Sequence, residues 1–121
     1  MLGNLSSPAS EVFQFSRGLA LAAGEEARLR GFLADALADE RVAVTIVGHT
    51  GDAGDTEANQ TLSVERAEMV RQVAAGMGIA PARMNAQGVG GAAALPKQDG
   101  ESARAYQARL ARVEVALQMR R

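Results

Sequence analysis

Residues 42–54 read VAVTIVGHTGDAG, an apolar, β-branched run that ends at a glycine and continues into a polar segment. The run 42–47 is apolar on both faces, which is typical of a central strand in a sheet. Residues 51–61 are polar and carry glycines and aspartates, which predicts a loop. Ser63 is the expected N-cap of a helix that follows. A strand end beside a helix N-terminus forms a natural pocket for a small charged ligand.

The remaining sequence predicts further strands and helices around this centre. In chain order they are a strand over 12–15, a helix over 25–38, a strand over 83–89, a short helix over 101–110 and a strand over 112–119. The helix after Ser63 is expected to stop at Gly76 and Gly78. Its predicted inward-facing residues are Ala67, Val70, Ala74 and Met77. The order β-α-β-α-β-(α)-β predicts an α/β sandwich with helices on one face of a mixed sheet.

Length, composition and charge limit the possible classes of function. The chain has 121 residues, which suits one domain; we expect a flexible lead-in over 1–10 and the domain over 11–121. A formal charge of −1 and an aromatic content of 3% argue against nucleic acid as a partner. Without cysteine the chain has no disulfide, thiolate metal site or cysteine nucleophile. No segment approaches the roughly 20 apolar residues of a membrane span.

The sequence contains no recognisable export signal. Its early apolar run, 19–23, is too short for the core of a signal peptide and lies too far from Met1. We therefore expect an excised domain whose parent protein carries the anchor or targeting segment.

The spacing of residues after the central strand matches a known signature. From Gly48 to Ala67 the pattern is G-H-T-x-x-x-G-(x4)-N-x-x-L-S-x-x-R-A, which resembles, without a gap, that of the OmpA-like, peptidoglycan-associated domain. The resemblance spans roughly residues 12–118 and implies an OmpA-like two-layer sandwich. It also implies a non-catalytic anchor that grips the diaminopimelate of the cell-wall stem peptide. The free end of diaminopimelate bears an ammonium and a carboxylate on one carbon.

The resemblance assigns roles to individual residues. Arg66, expected in the first turn of the second helix, corresponds to the arginine that binds the carboxylate, since a guanidinium pairs with a carboxylate through two hydrogen bonds. Asn59 corresponds to the loop asparagine that braces the pocket. Where the family commonly has N-R-R-V-E, residues 110–114 read LARVE, so Arg112 retains the second arginine. The predicted peptidoglycan-binding residues are Thr50, Gly51, Asp52, Asn59, Leu62, Arg66 and Arg112.

One position departs from the family in a way that affects the ligand. Gly51 stands where the family usually has the aspartate that holds the ammonium. Asp52 could replace it if the glycine lets the loop rotate; a one-residue insertion would also align Asp52, but it would spoil the match at Gly54, Asn59 and Arg66. Loss of one charge-assisted hydrogen bond costs about 1.5–3 kcal/mol, or about ten- to a hundredfold in affinity.

Other candidate sites have simpler interpretations. The single histidine, His49, is expected to bond the backbone at the strand end, because no nucleophile or second histidine lies at a catalytic spacing. The acidic residues between 52 and 59 lack the spacing of a calcium loop. The glycines at 88–91 lack the Lys-Ser/Thr of a nucleotide-binding loop. The sequence therefore predicts no catalytic residue, no cofactor and no metal.

The leading interpretation is peptidoglycan binding in the periplasm or cell envelope of a bacterium, with the outer membrane as the associated surface. The alternative is a degenerate domain that serves protein–protein interaction, either with an envelope partner or as a homodimer. It rests on Gly51, Leu110 and Ala111, small or apolar residues at positions that are polar in the family. Leu110 and Ala111 would form a contact surface if they were exposed.

Overall fold

A computed structural model describes residues 9–120 and shows one five-stranded sheet with helices packed against it. The strands are β1 (Ala9–Arg17), β2 (Ala20–Leu21), β3 (Val42–Gly48), β4 (Met84–Gly88) and β5 (Arg112–Met119). The helices are α1 (Glu25–Ala38), α2 (Thr56–Met77) and α3 (Ala103–Leu110), with a 3-10 turn at Pro81–Arg83. None of the helices in this part of the chain is both long and apolar enough to cross a membrane.

The sheet is mixed, as predicted, and its strand order is β2-β1-β5-β3-β4. The central strand β3 pairs in parallel with β4 and antiparallel with β5. The outer strand β1 pairs antiparallel with both β5 and β2. The two-residue strand β2 was not predicted, because two residues are too few to show an alternating pattern.

The hydrophobic core lies between one face of the sheet and helices α1 and α2. Alternate strand residues supply one side of it, since successive side chains of a strand point to opposite faces. From the strands the core contains Phe13, Phe15, Val42, Val44, Ile46, Val113, Val115 and Leu117; from the helices it contains Leu29, Leu33, Ala67, Val70 and Ala74. Each large apolar side chain buried here contributes about 1.5–3 kcal/mol relative to exposure.

The second helix starts earlier than the sequence suggested. Its N-cap is Asp55, whose side chain accepts from the backbone N–H of Glu57 at 3.0 Å, and not Ser63. Residues 56–61 are therefore helical rather than loop. Apart from Asn59 these residues are exposed, so the start of α2 projects beyond the core and shows no apolar stripe. Gly78 ends the helix with a φ of 108°, as predicted, whereas Gly76 lies inside it.

The other predicted boundaries differ by a few residues. The first strand extends back to Ala9, which pairs with Leu117, so residues 9 and 10 belong to the sheet; the rest of the predicted lead-in lies outside the described residues. Arg83 precedes β4, and its Nε donates to the carbonyl of Val42 at 3.0 Å. The bounds of α1 and β5 agree with the prediction, and α3 starts at Ala103.

Candidate functional site

A cleft of about 350 Å³ opens between the start of α2 and the segment that follows β4. Its lining residues are Asp52, Thr56, Asn59, Gln60, Val89, Gly90, Gly91 and Ala92. Hydrogen bonds hold the two sides in place: Gly90 N donates to Ser63 Oγ at 2.8 Å, and Thr50 N donates to Gly90 O at 3.0 Å. Ser63 thus anchors the wall of the cleft from within α2 instead of capping the helix.

Glycine at position 91 lets the two walls approach each other. A Cβ at this position would lie 2.6 Å from the carbonyl oxygen of Gly51 and 2.7 Å from Cα of Asp52. Any side chain would therefore push the segment after β4 away from the loop after β3. The glycines at 88–91 were the sequence signal for this wall, although the sequence alone indicated only a turn.

Two of the predicted site residues line the cleft. The exposed carboxylate of Asp52 is at its rim, and half-buried Asn59 lies within α2 rather than in a loop. Asn59 Nδ2 donates to the carbonyl of Ala53 at 3.0 Å and so holds the loop against the helix. The cleft therefore offers one carboxylate and one fixed amide to a ligand.

Gly51 lies next to a residue that sequence analysis did not single out, Gln107 of α3. A Cβ at position 51 would overlap the Oε1 atom of Gln107. Gln107 also contacts Asp52 twice: its Oε1 accepts from Asp52 N at 3.1 Å, and its Nε2 donates to Asp52 Oδ1 at 2.6 Å. Since 55 residues separate the two, no local pattern could reveal the contact.

Arg66 lies under the loop, in the middle of α2 and not in its first turn as predicted. Arg66 is 4% exposed. Its Nε donates to Gly18 O at 2.8 Å, and its Nη1 donates to His49 O at 2.9 Å. The guanidinium lies 5.0 Å from the centre of the Phe15 ring. Burial lowers the pKa of Arg66. Within residues 9–120 no carboxylate lies within ion-pair distance of it, and Nη2 makes no hydrogen bond.

The family follows from the sequence and the fold together. The sequence model of the OmpA family matches residues 16–108. The chain belongs to the OmpA family. This confirms the predicted family, and the two-layer α/β architecture of residues 9–120 agrees with it.

Solved structures of OmpA-like domains resemble this chain over most of its length. A MotB-like protein from Desulfovibrio vulgaris is 26% identical, with a TM-score of 0.74 over 93% of this chain and 76% of that one. The peptidoglycan-associated lipoprotein from Burkholderia pseudomallei is 25% identical, with a TM-score of 0.71 over 90% and 89%. The OmpA-like domain of FopA1 from Francisella tularensis, 19% identical with a TM-score of 0.77 over 93% and 73%, supports the fold alone. No curated protein matches the chain.

The other predicted site residues of this OmpA-family domain do not line the cleft. Arg112 is 2% exposed; it donates to Glu114 at 2.9 Å and to the carbonyls of Leu110 and Ala93 at 3.1 and 3.0 Å. Thr50 is buried, with Oγ1 donating to Gly51 O, and Leu62 is half-buried. Arg112 therefore anchors the segment after β4 to the sheet.

His49 is buried beside this arginine. His49 bonds the backbone at the strand end through its own N–H, which donates to Arg112 O at 2.9 Å, whereas its ring nitrogens make no hydrogen bond within the described residues. Nε2 lies 3.5 Å from Glu114 Oε1. Burial, reinforced by Arg112 and opposed by Glu114, lowers the pKa of His49. Among residues 9–120 no group of three or more His, Cys, Asp or Glu side chains could hold a metal ion.

Proposed function

We propose that this OmpA-family domain is a non-catalytic module that binds bacterial peptidoglycan and recognises the diaminopimelate of the stem peptide. The observation that carries the proposal is the cleft at the start of α2, where the Asp52 carboxylate and the Asn59 amide face one open space. A relative of similar fold, from Burkholderia pseudomallei, is a peptidoglycan-associated lipoprotein. The periplasm or cell envelope is the compartment in which this domain would meet such a ligand.

One carboxylate at the cleft and one arginine beneath the neighbouring loop are the charges that we assign to a ligand with an ammonium and a carboxylate. Asp52 Oδ1 is bonded to Gln107, whereas Oδ2 makes no hydrogen bond within residues 9–120 and can accept from the ligand ammonium. Arg66 is a buried cation without an anionic partner in the same residues, and a buried charge is costly unless it is paired. Arg66 lies beneath the loop and outside the lining of the cleft; the proposal assigns its Nη2 to the ligand carboxylate.

The proposed binding is weaker than an intact family site would give. Asp52 replaces the usual carboxylate from a neighbouring position, and Gly18 O already accepts from Arg66 Nε. A missing charge-assisted hydrogen bond costs about 1.5–3 kcal/mol. Attachment of several domains to one parent assembly would offset this loss, since linked sites bind with higher avidity.

The alternative function, a protein-interaction module, loses the surface on which it was predicted. Leu110 is fully buried and Ala111 is half-buried, so this pair cannot form an exposed contact patch. The substitution at Gly51 remains its support. This alternative becomes the preferred one if the domain fails to bind the cell wall.

Co-sedimentation with isolated diaminopimelate-type peptidoglycan tests the proposal. We expect the natural chain to pellet with the wall polymer and Asp52→Asn to need about ten- to a hundredfold more polymer for the same bound fraction. Asp35→Asn, at an exposed aspartate of α1, is the matched control and should bind normally. A natural chain that stays in the supernatant, or Asp52→Asn binding as well as the control, would contradict the proposal.

A further inference from the structure

Gln107 occupies the space that a side chain at position 51 would need. It belongs to α3, and its Oε1 lies closer to the position of a Cβ at 51 than van der Waals contact allows. A side chain at position 51 therefore requires the carboxamide of Gln107 to leave its present position.

The same carboxamide fixes the orientation of Asp52. The backbone N–H of Asp52 can only donate and its carboxylate can only accept, so the Gln107 amide meets both requirements in one orientation. The 2.6 Å bond to Oδ1 joins a charged acceptor to a neutral donor, the type of hydrogen bond that is stronger than a neutral pair. One carboxylate oxygen is thereby held, and the other makes no hydrogen bond within residues 9–120.

From these two contacts we infer that Gln107 is a positioning residue that determines the ligand specificity of this cleft. It fills the space beside position 51 and holds Asp52 as the carboxylate for a ligand ammonium. The inference rests on the proposed peptidoglycan function for the identity of the ligand. The coupling between positions 51 and 107 follows from the geometry of the chain itself.

A double-mutant cycle on positions 51 and 107 tests the inference, with co-sedimentation on diaminopimelate-type peptidoglycan as the readout. The proteins are the natural chain, Gly51→Asp, Gln107→Ala and Gly51→Asp/Gln107→Ala. Each single substitution should weaken binding about three- to tenfold. Gln107→Ala removes the support of Asp52, and Gly51→Asp forces the carboxamide of Gln107 out of place. The double variant should bind about tenfold or more tightly than Gly51→Asp, since the new carboxylate then has room.

Two controls separate this effect from a loss of folding. Gln118→Ala, at an exposed glutamine of β5, should bind like the natural chain. Thermal melts should show that all the variants are folded at the assay temperature. In the absence of peptidoglycan, the backbone amide of Asp52 should shift in the NMR spectrum of Gln107→Ala and stay in place in Gln118→Ala.

Each outcome decides for or against the inference. A double variant that binds more tightly than both single variants supports it, and does so even if the natural chain fails to pellet; in that case the proposed function of the natural chain is wrong. Additive effects of the two substitutions overturn the inference and leave the proposed function standing. If none of the four proteins pellets, the cleft is not a peptidoglycan site and both are overturned.

Discussion

Arg66 shows how a residue identified by its spacing can have a structural role as well. Its guanidinium joins three parts of the molecule: α2, the turn at Gly18 and the end of β3 at His49. We expect Arg66→Ala to lower the free energy of unfolding by about 2–4 kcal/mol, because the buried carbonyl of His49 and the carbonyl of Gly18 lose a charged donor. Urea unfolding measures this change. Arg30→Ala, which removes only an exposed ion pair with Glu26, should cost less than about 1 kcal/mol; equal midpoints for the two variants would contradict the assignment.

Gly48 at the end of β3 allows helix α2 to pack closely on the sheet. A Cβ at Gly48 would overlap the carbonyl oxygen of Ser63, so the helix backbone lies directly on the strand end. Gly48→Ala should therefore lower the free energy of unfolding by about 3 kcal/mol through overpacking. Gly76 is the control because it lies in α2, the helix that packs on Gly48, and a Cβ there would have nothing within 4 Å. Gly76→Ala should raise the free energy of unfolding by about 0.5–1 kcal/mol, and equal signs for the two substitutions in chemical denaturation would refute this account.

Local patterns predicted the elements that pack along their whole length and missed those that do not. Helix α1 has an apolar stripe and strand β5 alternates, so their bounds followed from the sequence. The exposed start of α2 has no such stripe, so the sequence predicted that the helix begins at Ser63. The same prediction placed Arg66 in the first turn. Of the site, Asp52 and Asn59 followed from the family spacing. Gln107 could not, because its contact depends on how α3 packs after the chain has folded.

The stability of the whole fold depends on pH through a few titratable side chains. Hydrogen bonds from Arg41 lower the pKa of Asp39 to about 2, and those from Arg109 lower the pKa of Glu101 to about 2. These carboxylates stabilise the fold fully above their ordinary pKa values of 3.8 and 4.5, and the contribution is lost as pH falls towards 2. His49 acts at higher pH, because its lowered pKa keeps it neutral in the fold while the unfolded chain takes up a proton below 6.5.

Stability should therefore fall in two steps as the solution is acidified. The first step begins below pH 6.5 and belongs to His49, which faces Arg112 and Glu114; the second begins below pH 4.5 and belongs to the paired carboxylates. Thermal unfolding at about pH 7.5, 5.5 and 3 measures both steps. His49→Gln should remove most of the fall between the two higher pH values and leave the lower step intact, since glutamine does not titrate. If the Tm of the variant and the Tm of the natural chain fall by the same amount between the two higher pH values, a group other than His49 is responsible for the first step.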